Sequence, residues 1–319
     1  MRAKIASVAS YLPSKVVTND DLSKTLDTSH EWIYTRTGIE SRHISAEDEL
    51  TSTLAIEAAH KAISQIDLDP MAIDAIIVAT TTGDSRFPSC ACKVQGAIGA
   101  YKAFAFDVNA ACSGFIYAMA VADSMMKSMN LKNVLLIASE TITKFVDWTD
   151  RSTCVLFGDG AGAFVIQTSD DESAGIIATK LYSNGEEEKF NSIVSHNGPQ
   201  NDHRGYITMA GRTVFKYAID YMAMAMNEIL AENNMTIDDI DWIIPHQANR
   251  RILESMCKMR DFPIEKVIIT TGEHANTSSA SIPLALRDAM DKGTVKKGDT
   301  LLFTALGAGL VWGSAIVKL

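Results

Sequence analysis

No stretch of this 319-residue chain holds the roughly 18 consecutive apolar residues of a membrane-spanning helix. No membrane partner is therefore expected. The opening MRAKIASVASYLP is broken by Ser7 and Ser10 and reads as a first strand, not as a secretory signal. Cysteine is sparse: five residues, an odd number, argue against a disulfide framework and for a reduced, cytoplasmic setting. Positive charge is short, with 29 Lys and Arg against 39 Asp and Glu and a net charge of −10. That balance excludes nucleic acid as a general partner, and any anion must be met by a local basic patch. Low-complexity tracts are missing, so disorder is not expected beyond loops. Metal-ligand spacing is missing as well. Cys90-Ala91-Cys92 is too tight for a zinc pair, and His196 and His203 lie in a Gly/Asn/Pro-rich loop without thiols, so neither metal nor cofactor is expected.

What remains is a well-packed chain, 47% hydrophobic and 21% charged, long enough for two domains or one large α/β domain. Leu54, Ala58, Ala62 and Ile66, four apart, mark an amphipathic helix, and a turn at Asp69-Pro70 leads into the strand IDAIIVAT. Phe215, Ile219, Met222, Met226 and Ile229 mark a second such helix; Asn233-Asn234 and the strand IDWIIPHQ follow it. The likeness continues. The strand VLLIAS from Val134 matches TLLFTA from Thr300, 166 residues on, and LFGDGAGAFVI resembles LGAGLVWGSAIV. The stretch FDVNAACSGFIY with its helix likewise matches Asn276-Thr-Ser-Ser-Ala-Ser-Ile-Pro and the helix ending LRDAM.

Such correspondence is the mark of an internally duplicated α/β unit. Strands alternating with helices imply mostly parallel sheets covered on both faces, one sheet per half, with helices between and outside them. The expected halves are residues 1–170 and 171–319, and residues 167–211 are expected to decorate the second without a counterpart in the first half's core.

Within this plan Cys112 falls at a strand-to-helix turn among small residues. The positive end of a helix favours a thiolate, so a depressed pKa and a nucleophilic role are expected there. Ligands of open parallel sheets gather beyond the carboxyl ends of strands. His246 ends DWIIP, and Asn276 opens the turn before the helix that matches the one after Cys112. Each has an ordinary explanation: a buried thiol, a core histidine, a helix-capping asparagine. All three at equivalent strand ends of a duplicated unit point instead to one shared pocket.

The motifs DTSHEWIYTRTGI, FDVNAACSGFIYA, DWTDRSTCVLFGDGAGA, GRTVFK, IPHQANRRI, ANTSSASIP and GAGLVWG span nearly the whole chain. On them the chain resembles the β-ketoacyl-acyl carrier protein synthase III family, the initiating condensing enzymes of fatty acid synthesis. The resemblance implies a thiolase-like fold of layered αβαβα architecture and a catalytic Cys112, His246 and Asn276. It also implies acylation of Cys112 by an acyl-CoA starter, acetyl-CoA first among them, and condensation with malonyl-acyl carrier protein. Oxyanion donors would be the N–H groups of Cys112 and Ala308. Trp32 and Arg151 would sandwich the adenine of CoA, with Arg36 near its phosphates and Asn249 on the pantetheine arm.

The carrier protein would meet Gln247, Ala248, Asn249, Arg250, Arg251 and Lys258, with Arg260, Arg212 and Lys216 extending the patch. Phe87 would reach the acyl pocket of a homodimer partner. Three departures are evident: Ala275 where a glycine is usual, His30 where an acid is usual, and Cys90 and Cys92 close to Phe87. They bear on acyl selectivity more than on reaction type. Alternatives are a condensing enzyme of a secondary pathway, a Cys-His-Asn thioester hydrolase, or a catalytically silent scaffold. Thiolase itself is disfavoured, since Leu306 to Gly313 lacks a second cysteine.

Overall fold

The computed structural model describes residues 2–171, 173–186, 192–195 and 205–319. His196 and His203 lie outside the described residues. Among the described residues thirteen strands form, in order β1 (Arg2–Tyr11), β2 (Val16–Thr18), β3 (Ser41–His43), β4 (Ala75–Ala79), β5 (Phe104–Val108), β6 (Asn133–Glu140), β7 (Gly160–Ser169), β8 (Gly175–Ser183), β9 (Ile193–Ser195), β10 (Ile207–Met209), β11 (Trp242–Pro245), β12 (Thr300–Gly307) and β13 (Val311–Lys318).

The first large sheet has the order β1-β7-β6-β4-β5; the second, β8-β13-β12-β11. Beside β11, Val267 makes a parallel bridge to Ile243, in the place that β5 holds beside β4. Both sheets thus follow one plan, which is what a duplicated sequence dictates. The sheets are mixed, however, rather than mostly parallel. β4, β5 and β6 run parallel, as do β11 and β12, but β7 and β13 pair antiparallel with their neighbours on both sides. Only Ala308–Leu310 separate β12 from β13, too few residues for a parallel crossover. The expectation for residues 167–211 also needs correction: β8 lies in this stretch and occupies in the second sheet the position of β1 in the first.

Five layers result. Helices Thr51–Ser64 and Cys90–Ile98 cover the outer face of the first sheet, where Leu54, Ala58, Val94, Ile76 and Ile137 pack together. Helices Gly211–Glu232 and Arg250–Arg260 cover the outer face of the second, with Met226, Ile229, Leu253 and Ile243 in contact. Between the sheets lie helices Gly114–Met129 and Ser281–Asp291, whose Phe115, Met119, Ile282 and Leu286 share one core with Ile77 and Leu136 of one sheet and Ile244 and Phe303 of the other. The ring of Phe115 stands edge-on to Phe164 at 4.9 Å and to Phe303 at 6.3 Å, so one side chain joins both sheets. Truncating such a residue to alanine costs roughly 3–5 kcal/mol. Among the described residues no helix is long and apolar enough to cross a membrane.

Candidate active site

The two inner helices start at the same level between the sheets, and this brings the ends of β5 and β11 together around a cavity of about 1190 Å³. Cys112, His246, Asn276 and Ala308 all line it, at its buried end; the exposed Arg36 and Arg151 line its mouth.

Cys112 sits in a short 3-10 turn, Ala111–Ser113, that feeds the helix Gly114–Met129. Ala111 takes φ +46°, turning the chain so that the next residue enters the cavity. Behind it, Gly307 approaches so closely that a Cβ there would lie 2.8 Å from the Cys112 nitrogen, which leaves glycine as the residue that fits. The thiol is not depressed as the sequence led us to expect. Burial pushes it up to about 11, with the Ser278 hydroxyl opposing the shift and the Glu140 charge adding to it. Desolvation of a thiolate outweighs the helix end here.

His246 follows β11 directly and is buried. Its Nδ1 lies 2.7 Å from Ser281 Oγ, which also accepts the Gln247 N–H at 3.2 Å. Where the Ser281 hydrogen goes to Nδ1, the ring's own proton sits on Nε2. Burial pulls the imidazole down to about 4, so it is neutral near pH 7. Asn276 is fixed in the same manner: its Oδ1 accepts the Ser278 N–H at 2.9 Å, and its backbone is held by Leu156 and Gly158. The Nδ2 group is left for the cavity.

Three residues that sequence reasoning missed hold this arrangement. Ser281 fixes the imidazole, and Ser278 and Glu140 stand behind Cys112 and Asn276. Glu140 ends β6 with its carboxylate fully buried, and burial raises its pKa. It accepts hydrogen bonds from Thr80, Thr81, Thr82, Ser278 and Ser279. The available signal was one acid closing the otherwise apolar strand VLLIAS.

At the mouth, Arg36 and Arg151 both lie over the Trp32 ring, at 4.5 and 5.1 Å from its centre. Arg151 is therefore stacked on Trp32 itself, not spaced from it by the width of a base, and it pairs with Asp27 at 3.0 Å. Asn249 caps the helix Arg250–Arg260 through Arg251 N at 2.8 Å and donates to the Arg36 carbonyl at 3.1 Å. Ala248 lines the cavity, half-buried.

Arg250, Arg251, Lys258, Arg260, Arg212 and Lys216 are exposed, and Arg251 reaches across to the Phe215 ring at 5.9 Å. That contact joins the two basic helices into one face. Arg250 is paired with Glu254 at 2.8 Å. Gln247 does not belong to this face. It is 1% exposed, and its amide donates to the carbonyls of Pro245 and Ile268 and accepts from Thr270 and Thr271, so it shapes the loop from within. Phe87 is 84% exposed and stands apart from the cavity-lining residues of its own chain. His30 stacks on Tyr34 at 5.7 Å. Among the described residues the one His/carboxylate cluster, Glu273, His274 and Asp288, already holds the Lys292 ammonium, 2.9 Å from Asp288 and 3.6 Å from Glu273.

Two family models match the chain. 3-Oxoacyl-[acyl-carrier-protein (ACP)] synthase III matches residues 106–185, and 3-Oxoacyl-[acyl-carrier-protein (ACP)] synthase III C terminal matches residues 230–319. A β-ketoacyl-[acyl-carrier-protein] synthase III of Wolbachia pipientis wMel is 52% identical over 316 residues, covering 98% of each protein. Another, of Ehrlichia canis (strain Jake), is 48% identical over 320 residues, covering 100% of this chain and 99% of its own. The crystal structure of 3-oxoacyl-[acyl-carrier-protein] synthase III from Aquifex aeolicus VF5 superposes with a TM-score of 0.93 at 45% identity, covering 99% of this chain and 100% of that one.

Proposed function

Because the chain belongs to the β-ketoacyl-[acyl-carrier-protein] synthase III family, with its thiolase-like fold, we propose that it condenses an acyl-CoA starter, acetyl-CoA first among them, with malonyl-acyl carrier protein in the cytoplasm. Cys112, as thiolate, attacks the thioester carbonyl. The oxyanion is held by the N–H groups of Cys112 and Ala308, CoA leaves, and an acyl-Cys112 intermediate remains. Malonyl-acyl carrier protein then loses CO2. The enolate oxygen accepts hydrogen bonds from His246 Nε2–H and Asn276 Nδ2–H, and its carbon attacks the acyl group, returning Cys112. The scheme uses acyl-CoA as substrate and requires no cofactor.

One observation carries this reading: Asn276 Oδ1 accepts the Ser278 N–H and His246 Nδ1 meets the Ser281 hydroxyl, so that with this hydroxyl donating both side chains keep a donor for the cavity they share with Cys112. A hydrolase of the Cys-His-Asn type needs the histidine as a base. An imidazole held down at about 4 is poor in that role and well suited to donating. Trp32, Arg36 and Arg151 at the mouth suit a nucleotide, once the base takes the place of one guanidinium against the Trp32 ring.

A homodimer is part of the proposal. β5 is the edge of the first sheet, and its stacked Phe104 and Phe106, only half-buried, leave an apolar edge that a soluble protein covers, with the exposed Phe87 nearby. A second copy meets that need; a solution mass of 34.6 kDa rather than twice that would refute it.

The test of the reaction is intact-mass measurement after mixing with acetyl-CoA, then with malonyl-acyl carrier protein. The expected result is a gain of one acetyl group, absent in Cys112→Ala and discharged as a 3-oxoacyl carrier product. Acylation followed by release of free acetate, with no carrier dependence, would overturn it in favour of a hydrolase.

A further inference from the structure

Gln247 is a buried amide that the proposed reaction leaves unused. Its Nε2 donates to the Pro245 carbonyl at 2.7 Å and the Ile268 carbonyl at 3.1 Å, while its Oε1 accepts the Thr270 N–H at 2.9 Å and the Thr271 hydroxyl at 3.2 Å. An amide has two hydrogens and two acceptor sites to offer, and here none is spare. Two carbonyls on one side and two donors on the other leave it a single orientation.

The amide stands where a backbone ladder stops. Val267 bridges Ile243 of β11, and the Ile268 N–H reaches the Ile243 carbonyl at 2.9 Å. The next rung of that parallel ladder would be donated to the Ile268 carbonyl by residue 245, which is proline and has no N–H. Gln247 Nε2 supplies the hydrogen instead. On one side of this side chain Pro245 immediately precedes His246, whose Nδ1 lies 2.7 Å from Ser281 Oγ, the oxygen that also accepts the Gln247 N–H at 3.2 Å. On the other side Thr271 opens the helix Thr271–His274, and its carbonyl accepts the Ala275 N–H at 3.0 Å, one residue before Asn276. One side chain thus joins the end of β11 to the approach of Asn276.

We propose, resting on His246 and Asn276 as the paired donors of condensation, that Gln247 is a positioning residue that fixes the His246 segment against the segment leading to Asn276. It acts through those two residues and meets neither substrate nor carrier protein. Donors that work together tolerate little displacement, and a misplacement of about 1 Å costs on the order of a hundredfold in rate. Cys112 follows β5 in the other half of the chain, so its acylation does not pass through this bridge.

The test reads Cys112 acetylation by intact mass, and kcat and KM for CO2 release from malonyl-acyl carrier protein, in Gln247→Glu. As a carboxylate the new side chain still accepts from Thr270 and Thr271 but gives no hydrogen to Pro245 or Ile268. The kcat for CO2 release is expected to fall roughly tenfold near pH 8, with KM and acetylation close to the wild type. Burial raises the pKa of a carboxyl group, so one donor returns on acidification, and the deficit relative to the wild type is expected to shrink toward about pH 6. Thr271→Val deletes one hydroxyl and decides the matter even if Gln247→Glu does not fold. Its CO2 release is expected to fall about threefold with acetylation unchanged, and Thr271→Ser to restore it. A raised KM at unchanged kcat would make Gln247 a carrier contact, and parallel loss of acetylation and CO2 release would make it a general support of the fold. Either result, or variants that match the wild type, would overturn the proposal. A wild type that is not acetylated at all is a different outcome, which removes the proposed reaction and this role with it.

Discussion

His246 Nδ1 and Ser281 Oγ lie 2.7 Å apart, and the direction of that hydrogen bond decides which ring nitrogen carries a proton into the cavity. Removing the hydroxyl in Ser281→Ala leaves Nδ1 buried without its partner and lets the tautomers mix. An unsatisfied buried group costs roughly 1–3 kcal/mol. Malonyl decarboxylation is therefore expected to slow by roughly ten- to a hundredfold, with acylation of Cys112 by acetyl-CoA unchanged. Stopped-flow release of CO2 and intact mass read the two steps separately.

The same histidine makes stability fall on the acid side. Burial holds it at about 4, below its ordinary 6.5, so between those values the unfolded chain binds a proton that the folded protein refuses. The contribution is complete above pH 6.5 and is lost as pH drops toward 4. The full span is worth on the order of 3 kcal/mol. Urea unfolding of wild type and His246→Gln across this window is expected to show a steeper loss in the wild type; parallel curves would contradict it.

Arg251 reaches over Phe215 at the cavity mouth, whereas Lys258 is exposed on the same helix outside the cavity lining. Charge reversal at either position is expected to raise KM for malonyl-acyl carrier protein roughly tenfold, with kcat little changed and a shallower dependence on salt. Lys258→Glu is the cleaner probe, since acylation by acetyl-CoA is expected to stay as in the wild type. Unchanged carrier turnover and salt dependence in both variants would show that the acidic carrier docks elsewhere.

Ala275 is buried at φ +56°, ψ −157°, a region open almost only to glycine. Such strain costs roughly 1–3 kcal/mol and sits one residue before Asn276. Ala275→Gly is expected to melt at or above the wild-type temperature. Ala275→Val, β-branched and overpacked by roughly 1–3 kcal/mol more, is expected to melt well below it and to lose condensation as Asn276 shifts. A valine variant as stable as the wild type would contradict this.

Much of this was legible in the sequence because duplication repeats its own signals. Cys112 and His246 each follow an apolar strand, Asn276 opens the turn before the helix that matches the one after Cys112, and the two sheets do share one strand order. The antiparallel strands were harder: β7 and β13 are as apolar as their parallel neighbours, and direction leaves no mark on composition. β8 was hidden in a polar, glycine-containing stretch. Gln247 was placed on the surface by its motif, since a motif does not say which way a side chain points. Glu140 was unreadable for a stronger reason: its burial depends on five hydroxyls from two loops, 58 to 60 and 138 to 139 residues away in sequence. The pKa of Cys112 likewise depended on how completely those loops close over it.

The most direct measurement separates the two half-reactions in His246→Ala and Asn276→Ala, using intact mass after acetyl-CoA for the first and CO2 release from malonyl-acyl carrier protein for the second. Both variants are expected to gain an acetyl group at Cys112 at close to the wild-type rate while releasing CO2 at least a hundredfold more slowly. Loss of acetylation in His246→Ala, with decarboxylation intact, would make the histidine the base for Cys112 and contradict the assignment of paired donors.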